Sequence, residues 1–297
     1  MRLAAFIHRG QSAIGIVDID RKEIIELTSA GLPSTLDDVV ALGAQGPAML
    51  RSAAEASVVR IPFSDVKWLP PIKAPSKCIA VGLNYIDHAT ETNFSPPTYP
   101  VLFNRFPSSW VAHQEPLYKP TVSDEFDYEG EMVIVIGKTG RHIPKATALD
   151  HVYGYSIFNE GSVRDYQMKS QQWMMGKNFD RSGSFGPFIV TADELPEGAT
   201  GLQISTRLNG KLLQQASTSD MIFDVPTIIS IASVAFELQP GDLIISGTPA
   251  GVGFTRNPPI FMRPGDVCEV EIEQIGLLRN NVVEDAIPVE CSADKVQ

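Results

Sequence analysis

Residues 128–138 read YEGEMVIVIGK. The apolar run 132–136, stopped by Gly137, reads as a strand. Glu129 and Glu131 stand two apart, so on a strand both side chains point to one face. Facing a core unpaired, two carboxylates would be expensive. A hard cation removes that cost, because magnesium and calcium favour carboxylate oxygens. The alternative is an edge strand with both glutamates in water, and E-x-E spacing alone does not choose between them. Asp124, Glu125 and Asp127, just upstream, read as a solvated acidic loop.

Outward from this strand the chain is rich in β structure. FIHRG, SAIGIVDID and EIIEL near the N-terminus alternate as short strands joined by turns. A short helix capped by Ser34 or Thr35 follows, then a second one starting at Pro47. Pro62, Pro70, Pro71 and Pro75 crowd the next stretch and mark a connection. A small N-terminal α+β unit is therefore expected over residues 1–70, with the main domain over 71–297. There KCIAVGL, PVLFN, HVYGYSIFNEG, FGPFIVTADEL and VCEVEIEQIGLLRN read as strands. LNGK carries the Asn-Gly pair of a hairpin turn. Helices are expected through VRDYQMKSQQW, near Tyr85 to past Glu91, and from Pro226. The fold class is a β-rich α+β, not a regular βαβ alternation.

Composition narrows the function. The 297 residues carry a formal charge of −11, which argues against nucleic acid or an anionic membrane as partner. An anionic substrate stays possible, since a bound cation reverses the sign locally. Cys78, Cys268 and Cys291 are odd in number and widely spaced, which fits a reducing compartment rather than a disulfide framework. No signal-peptide pattern opens the sequence, and its most apolar segment, 221–236, is interrupted by Asp224 and Pro226. A cytoplasmic location is expected.

Three further places could carry chemistry. His88 and Glu91 are spaced to meet on a helix, and a carboxylate on one ring nitrogen raises the basicity of the other. A surface pair without a role is the plain alternative. Lys177, after a tryptophan and two methionines, could neutralise an oxyanion or simply end a helix. The loop GTPAGVG, 247–253, lets backbone amides approach an anion, yet it is neither a P-loop nor a dinucleotide fingerprint.

Taken in order, GLNYIDHATE, FNRFPSS, DYEGEMVIVIGK, NEGSVRDYQ, GKNFD, LNGKLLQ, PGDLIISGTPAGVGF and PGDVCEVEIEQIGLLRN resemble the fumarylacetoacetate hydrolase family from about residue 75 to 285. Within it the chain resembles the acylpyruvate hydrolase and 2-hydroxyhepta-2,4-diene-1,7-dioate isomerase-like branch. The resemblance implies a mixed β-roll, a homodimer, and Mg2+ or Mn2+ held by Glu129, Glu131 and Glu160. At Glu160 the family usually has aspartate, so this ligand reaches one methylene further. Asp165, nearby, is expected to pair with Arg164 or a backbone amide. The resemblance makes His88 and Glu91 a water-activating pair and sets Lys177 over the substrate oxygens. Arg105, Arg164, Gln167 and Thr248 become substrate contacts. The segments 92–99 and 171–175 are expected near the distal part of the substrate, with Trp173, Met174 and Met175 either lining the pocket or in the core.

The implied reaction is hydrolysis of a C–C bond in a 1,3-diketo acid such as an acylpyruvate, with the cation stabilising the enolate. Isomerisation or decarboxylation of a related oxo-diacid uses the same enolate. A module that binds a small acid or a protein without turnover is the alternative of another class.

Overall fold

The strand in YEGEMVIVIGK is Gly130–Ile136, buried along its whole length. The computed structural model describes residues 1–92 and 95–285. Among them a twelve-stranded sheet carries Gly130–Ile136 in its interior, between Val152–Asn159 and Leu243–Ile245. The edge-strand alternative is thereby excluded. Met132, Ile134 and Ile136 enter one hydrophobic cluster, while Val133 and Val135 enter another on the opposite face. A strand buried on both sides must read as a continuous apolar run, as this one does.

On one side the sheet continues through Gly183–Thr191 to Arg2–His8, Gln11–Asp18, Glu23–Glu26 and Arg60–Pro62. On the other it continues through Cys78–Gly82, parallel to Leu243–Ile245, to Val101–Asn104. Arg2–His8 pairs antiparallel with Gly183–Thr191, so the sheet crosses from the N-terminal segment into the rest of the chain. A division near residue 70 is a proposal about chain segments, not a gap in the sheet. A second, five-stranded sheet runs Lys211–Ser217, Gln203–Leu208, Val267–Ile272, Gly276–Glu284 and Leu117–Lys119. Ile204, Val270, Ile272 and Leu278 from it pack into the cluster of Ile134 and Ile136. This is a strand-rich α+β architecture.

Local signals fix the element ends. Thr35 caps Leu36–Ala41 by accepting from the Asp38 amide, and Pro47 opens Gly46–Ala56. Asp224 caps Val225–Ala235, whose first turn holds Pro226. Asn209 and Gly210 take φ of 54° and 78°, the left-handed pair of a tight hairpin turn. Of the helix expected through VRDYQMKSQQW only Arg164–Gln167 forms, and a second short helix, Met174–Lys177, begins just after that stretch. Between them the Ser170 hydroxyl bonds to Gln172 N and O, a local turn that competes with helix.

Among the described residues no helix is long and apolar enough to cross a membrane. Cys78 and Cys268 are buried and free; Cys291 lies outside the described residues.

Candidate active site

Strand register builds the acidic centre. The antiparallel pairing sets Glu131 opposite Phe158 and Gly130 opposite Asn159. One step further out, the Glu160 N–H donates to Glu129 O at 2.8 Å. On the other side, Val133 pairs with Ile245, and two residues later the Gly247 N–H donates to Glu131 Oε2 at 2.5 Å. Glu129, Glu131 and Glu160 are all buried, and one carboxylate oxygen from each lies within 4.8 Å of the others.

Cations surround this cluster. Lys177 Nζ stands 2.6 Å from Glu129 Oε2 and 2.7 Å from Glu160 Oε2. Arg164 Nη2 lies 2.7 Å from Glu129 Oε1. Burial alone would raise Glu129, but Arg164, Lys177 and His88 together hold its carboxyl well below the usual range. Glu131 goes the other way, pushed well up by burial and by the neighbouring Glu160 and Glu129. Burial also raises Glu160 against the pull of Lys177 and Arg105. Glu160 Oε1 is buried without a hydrogen-bond donor, with Arg105 Nη1 3.7 Å away.

The histidine arrives from the neighbouring strand. Cys78–Gly82 leads into Asn84, whose buried amide bonds Phe223 O and Ser246 O and fixes the start of Ile86–Glu91. His88 Nδ1 donates to Glu91 Oε1 at 2.9 Å, the tautomer assigned because an ionised carboxylate only accepts. Nε2 is then the basic nitrogen. Glu91 is itself seated by the Gly251 N–H and the Thr255 hydroxyl. Gly251 has φ 106°, and a Cβ there would stand 2.2 Å from Leu213 O, so this seat requires glycine.

His88, the three glutamates and Lys177 line one cleft with Arg164, Gln167 and Thr248. Trp173, Met168 and Phe254 form its apolar side, and the enclosed volume is about 30 Å³, room for a water or two. Met174 and Met175 are exposed, so neither belongs to the core. Of segment 92–99, Asn93 and Phe94 lie outside the described residues.

Several expectations are corrected. Arg105 is not among the cleft-lining residues: its guanidinium is buried behind Glu160, bonded to Ser109 and Gly161 O. Asp165 accepts from the Ser123 hydroxyl at 2.6 Å, while Arg164 pairs with Asp127 and Glu129. Asp124 and Glu125 are exposed as expected, but Asp127 is fully buried. Asp127 lies in a short strand of its own, Phe126–Asp127, paired with Ser162–Val163, a pairing that local spacing does not reveal. Gln214 was also missed. It accepts from the Gly130 N–H and donates to Thr248 Oγ1 and Pro249 O.

An oxygen-preferring divalent cation fits this donor set: three buried carboxylates, converging oxygens, and one oxygen without a partner.

Comparison with known proteins agrees. Residues 77–283 match the family model of the fumarylacetoacetate hydrolase C-terminal domain. The mitochondrial oxaloacetate tautomerase of Xenopus laevis is 38% identical over 274 residues, covering 91% of this chain and 86% of that one. The fumarylacetoacetate hydrolase of the psychrophile Exiguobacterium antarcticum superposes with a TM-score of 0.86 at 36% identity, covering 96% of this chain and 100% of that one. The maleylpyruvate hydrolase of Sphingobium sp. SYK-6, solved with manganese(II) and pyruvate, gives a TM-score of 0.80 at 30% identity, covering 96% and 99%.

Proposed function

The chain belongs to the fumarylacetoacetate hydrolase family, and from that premise we propose a divalent-cation-dependent enzyme that acts on small 2-oxo acids through an enolate. The observation that carries this reading is the meeting of three buried carboxylates with a carboxylate-oriented histidine on one cleft. Glu129, Glu131 and Glu160 would hold the cation, and magnesium and manganese both suit an all-oxygen set. When bound, the cation supplies Lewis-acid stabilisation of the charge that develops on the 2-oxo group.

The rest of the chemistry falls to the side chains. His88 Nε2 takes a proton from the carbon beside the oxo group, or gives one to it, while Glu91 stabilises the charged ring. Lys177 adds positive charge beside the developing enolate. Gln167 Oε1 is held by Arg164 Nη1 at 2.9 Å, which leaves its amide N–H group as a donor to a substrate oxygen. Thr248 keeps its hydroxyl on Gly130 O and so braces the acidic strand.

The net reaction favoured is enol–keto tautomerisation of a short 2-oxo diacid of the oxaloacetate kind. The Xenopus relative supports it. Hydrolysis of an acylpyruvate is the second reading, supported by the maleylpyruvate hydrolase solved with manganese and pyruvate. There His88 would deprotonate a water instead. One experiment separates them: follow the enol absorbance of oxaloacetate and of an acylpyruvate with Mn2+, and analyse the products. Faster enol loss with intact carbon skeletons supports the tautomerase, and release of pyruvate with a carboxylic acid supports the hydrolase. Neither change with Mn2+ bound overturns both.

A further inference from the structure

Asp127 is a buried carboxylate that the proposed chemistry leaves without a task. It is 0% exposed, and both oxygens are fully engaged. Oδ2 accepts from Arg164 Nε at 2.9 Å and from the Phe254 N–H at 3.1 Å, and lies 2.8 Å from Arg164 Nη2. Oδ1 accepts from the Gly253 N–H at 2.8 Å and the Tyr128 N–H at 2.9 Å. An added Cβ at Gly253 would stand 2.5 Å from Asp127 Oδ1 and 1.8 Å from Ile260 O, so the loop backbone sits directly on this carboxylate.

The two groups that Asp127 holds lead to two different parts of the site. Arg164 continues to Glu129 Oε1 at 2.7 Å. The loop continues to Glu91, which takes the Gly251 N–H at 2.9 and 3.0 Å and the Thr255 hydroxyl at 3.1 Å, and Glu91 holds His88. For stability alone, a buried ion pair of this kind has no advantage over apolar side chains of the same volume.

We infer that Asp127 is a positioning residue that ties the carboxylate cluster to the seat of the His88–Glu91 pair, so that cation binding and docking of Ile86–Glu91 are coupled. The inference rests on the functional reading above. Through Arg164 it sets the direction of Glu129; through the Gly253 and Phe254 amides it sets the height of the loop that receives Glu91. Coupling of this kind is reciprocal: whatever steadies one end steadies the other.

The test uses Mn2+ alone as probe, with two readouts on the full chain. Wild-type protein is titrated with Mn2+ while hydrogen exchange is followed at the Gly251, Gly253 and Phe254 amides. Mn2+ should slow exchange there. The near-isosteric Asp127→Asn cannot present an acceptor to Arg164 and the loop amides together. It should weaken the Mn2+ dissociation constant about ten-fold or more and remove the Mn2+-dependent protection. A merely structural role would lower the melting temperature and leave Mn2+ affinity unchanged. If wild type binds Mn2+ without protecting these amides, the coupling is overturned, whether or not the variant folds. Unchanged affinity and unchanged protection in Asp127→Asn overturn it too. If wild type binds no Mn2+, or Glu129→Gln binds it as well as wild type, the functional reading fails and takes the inference with it.

Discussion

Glu91 Oε1 lies 2.9 Å from His88 Nδ1, and the same carboxylate is bound by the Gly251 amide and the Thr255 hydroxyl of a distant loop. The histidine is thus oriented by a group that is itself anchored.

Removing either member should damage turnover, and removing His88 alone should spare the cation. His88→Ala is expected to lower kcat by about 100- to 10,000-fold, the usual worth of a positioned general base. Glu91→Ala should lose less, since Nε2 remains but its orientation is lost. Calorimetric titration with Mn2+ should give His88→Ala near-wild-type affinity, whereas Glu91→Ala, which cuts the coupled seat, should bind Mn2+ more weakly. Parallel loss of affinity in His88→Ala would reassign the histidine to the cation.

Chelation should abolish activity, with recovery on adding Mg2+ or Mn2+. Because a cation at Glu129, Glu131 and Glu160 binds only the folded state, saturating Mn2+ should also raise the melting temperature. At a hundred times the dissociation constant the gain is about 2.7 kcal/mol. Glu131→Gln should lose both effects; a Mn2+-induced thermal shift that persists in it would place the ion elsewhere.

Glu160 offers a sharper contrast. Its carboxylate stands 2.7 Å from Lys177 Nζ and 3.7 Å from Arg105 Nη1. Glu160→Asp keeps the charge but withdraws it by one carbon–carbon bond, so a modest loss of Mn2+ affinity is expected with little loss of stability. Glu160→Ala leaves two buried cations undercompensated and should cost about 3–5 kcal/mol. Urea unfolding of the two metal-free variants checks the difference.

Gly251→Ala should act through Glu91. Its φ of 106° strains any side chain, and the Cβ would press on Leu213 O at 2.2 Å. Moving this loop withdraws the amide that seats Glu91, so kcat should fall more than KM rises. A variant with wild-type kcat would show that the seat is dispensable.

A pH effect arises away from the cleft. His113 is pushed down to about 4 by burial and by Arg279, and its Nδ1 accepts the Arg279 N–H. The folded state therefore favours the neutral ring, whereas the unfolded chain protonates near about 6.5. Stability from this group is complete above about 6.5 and is lost as pH falls toward 4, by about 2 kcal/mol at pH 5. His113→Gln should flatten that part of the stability–pH curve in denaturant titrations. An unchanged slope would assign the acid sensitivity to other groups.

Much of this was legible in one dimension, because local rules decide it. A continuous apolar run names the buried strand Gly130–Ile136, Asn209-Gly210 names a hairpin, and Pro47 and Pro226 name helix starts. The closeness of Glu129 and Glu131, two apart at the start of that strand, and the meeting of His88 with Glu91 through helical spacing were both legible. Ordered motifs were enough to identify the family and nominate Glu160 and Lys177.

What the sequence left open depends on pairing between distant strands. Whether Gly130–Ile136 was interior or edge followed only from its neighbours on both sides. The approach of Glu160 to Glu129, and of Gly247 to Glu131, is set by register, which no local spacing encodes. Asp127 looked like one more acid in a polar loop because its partners, Arg164 and the Gly253 and Phe254 amides, lie far along the chain. Arg105 looked like a substrate contact until packing set it behind Glu160. The sequence determined which groups were available and which elements carried them. Only the tertiary structure decided which charges are buried together, because the partners that make a buried charge tolerable come from different strands and loops.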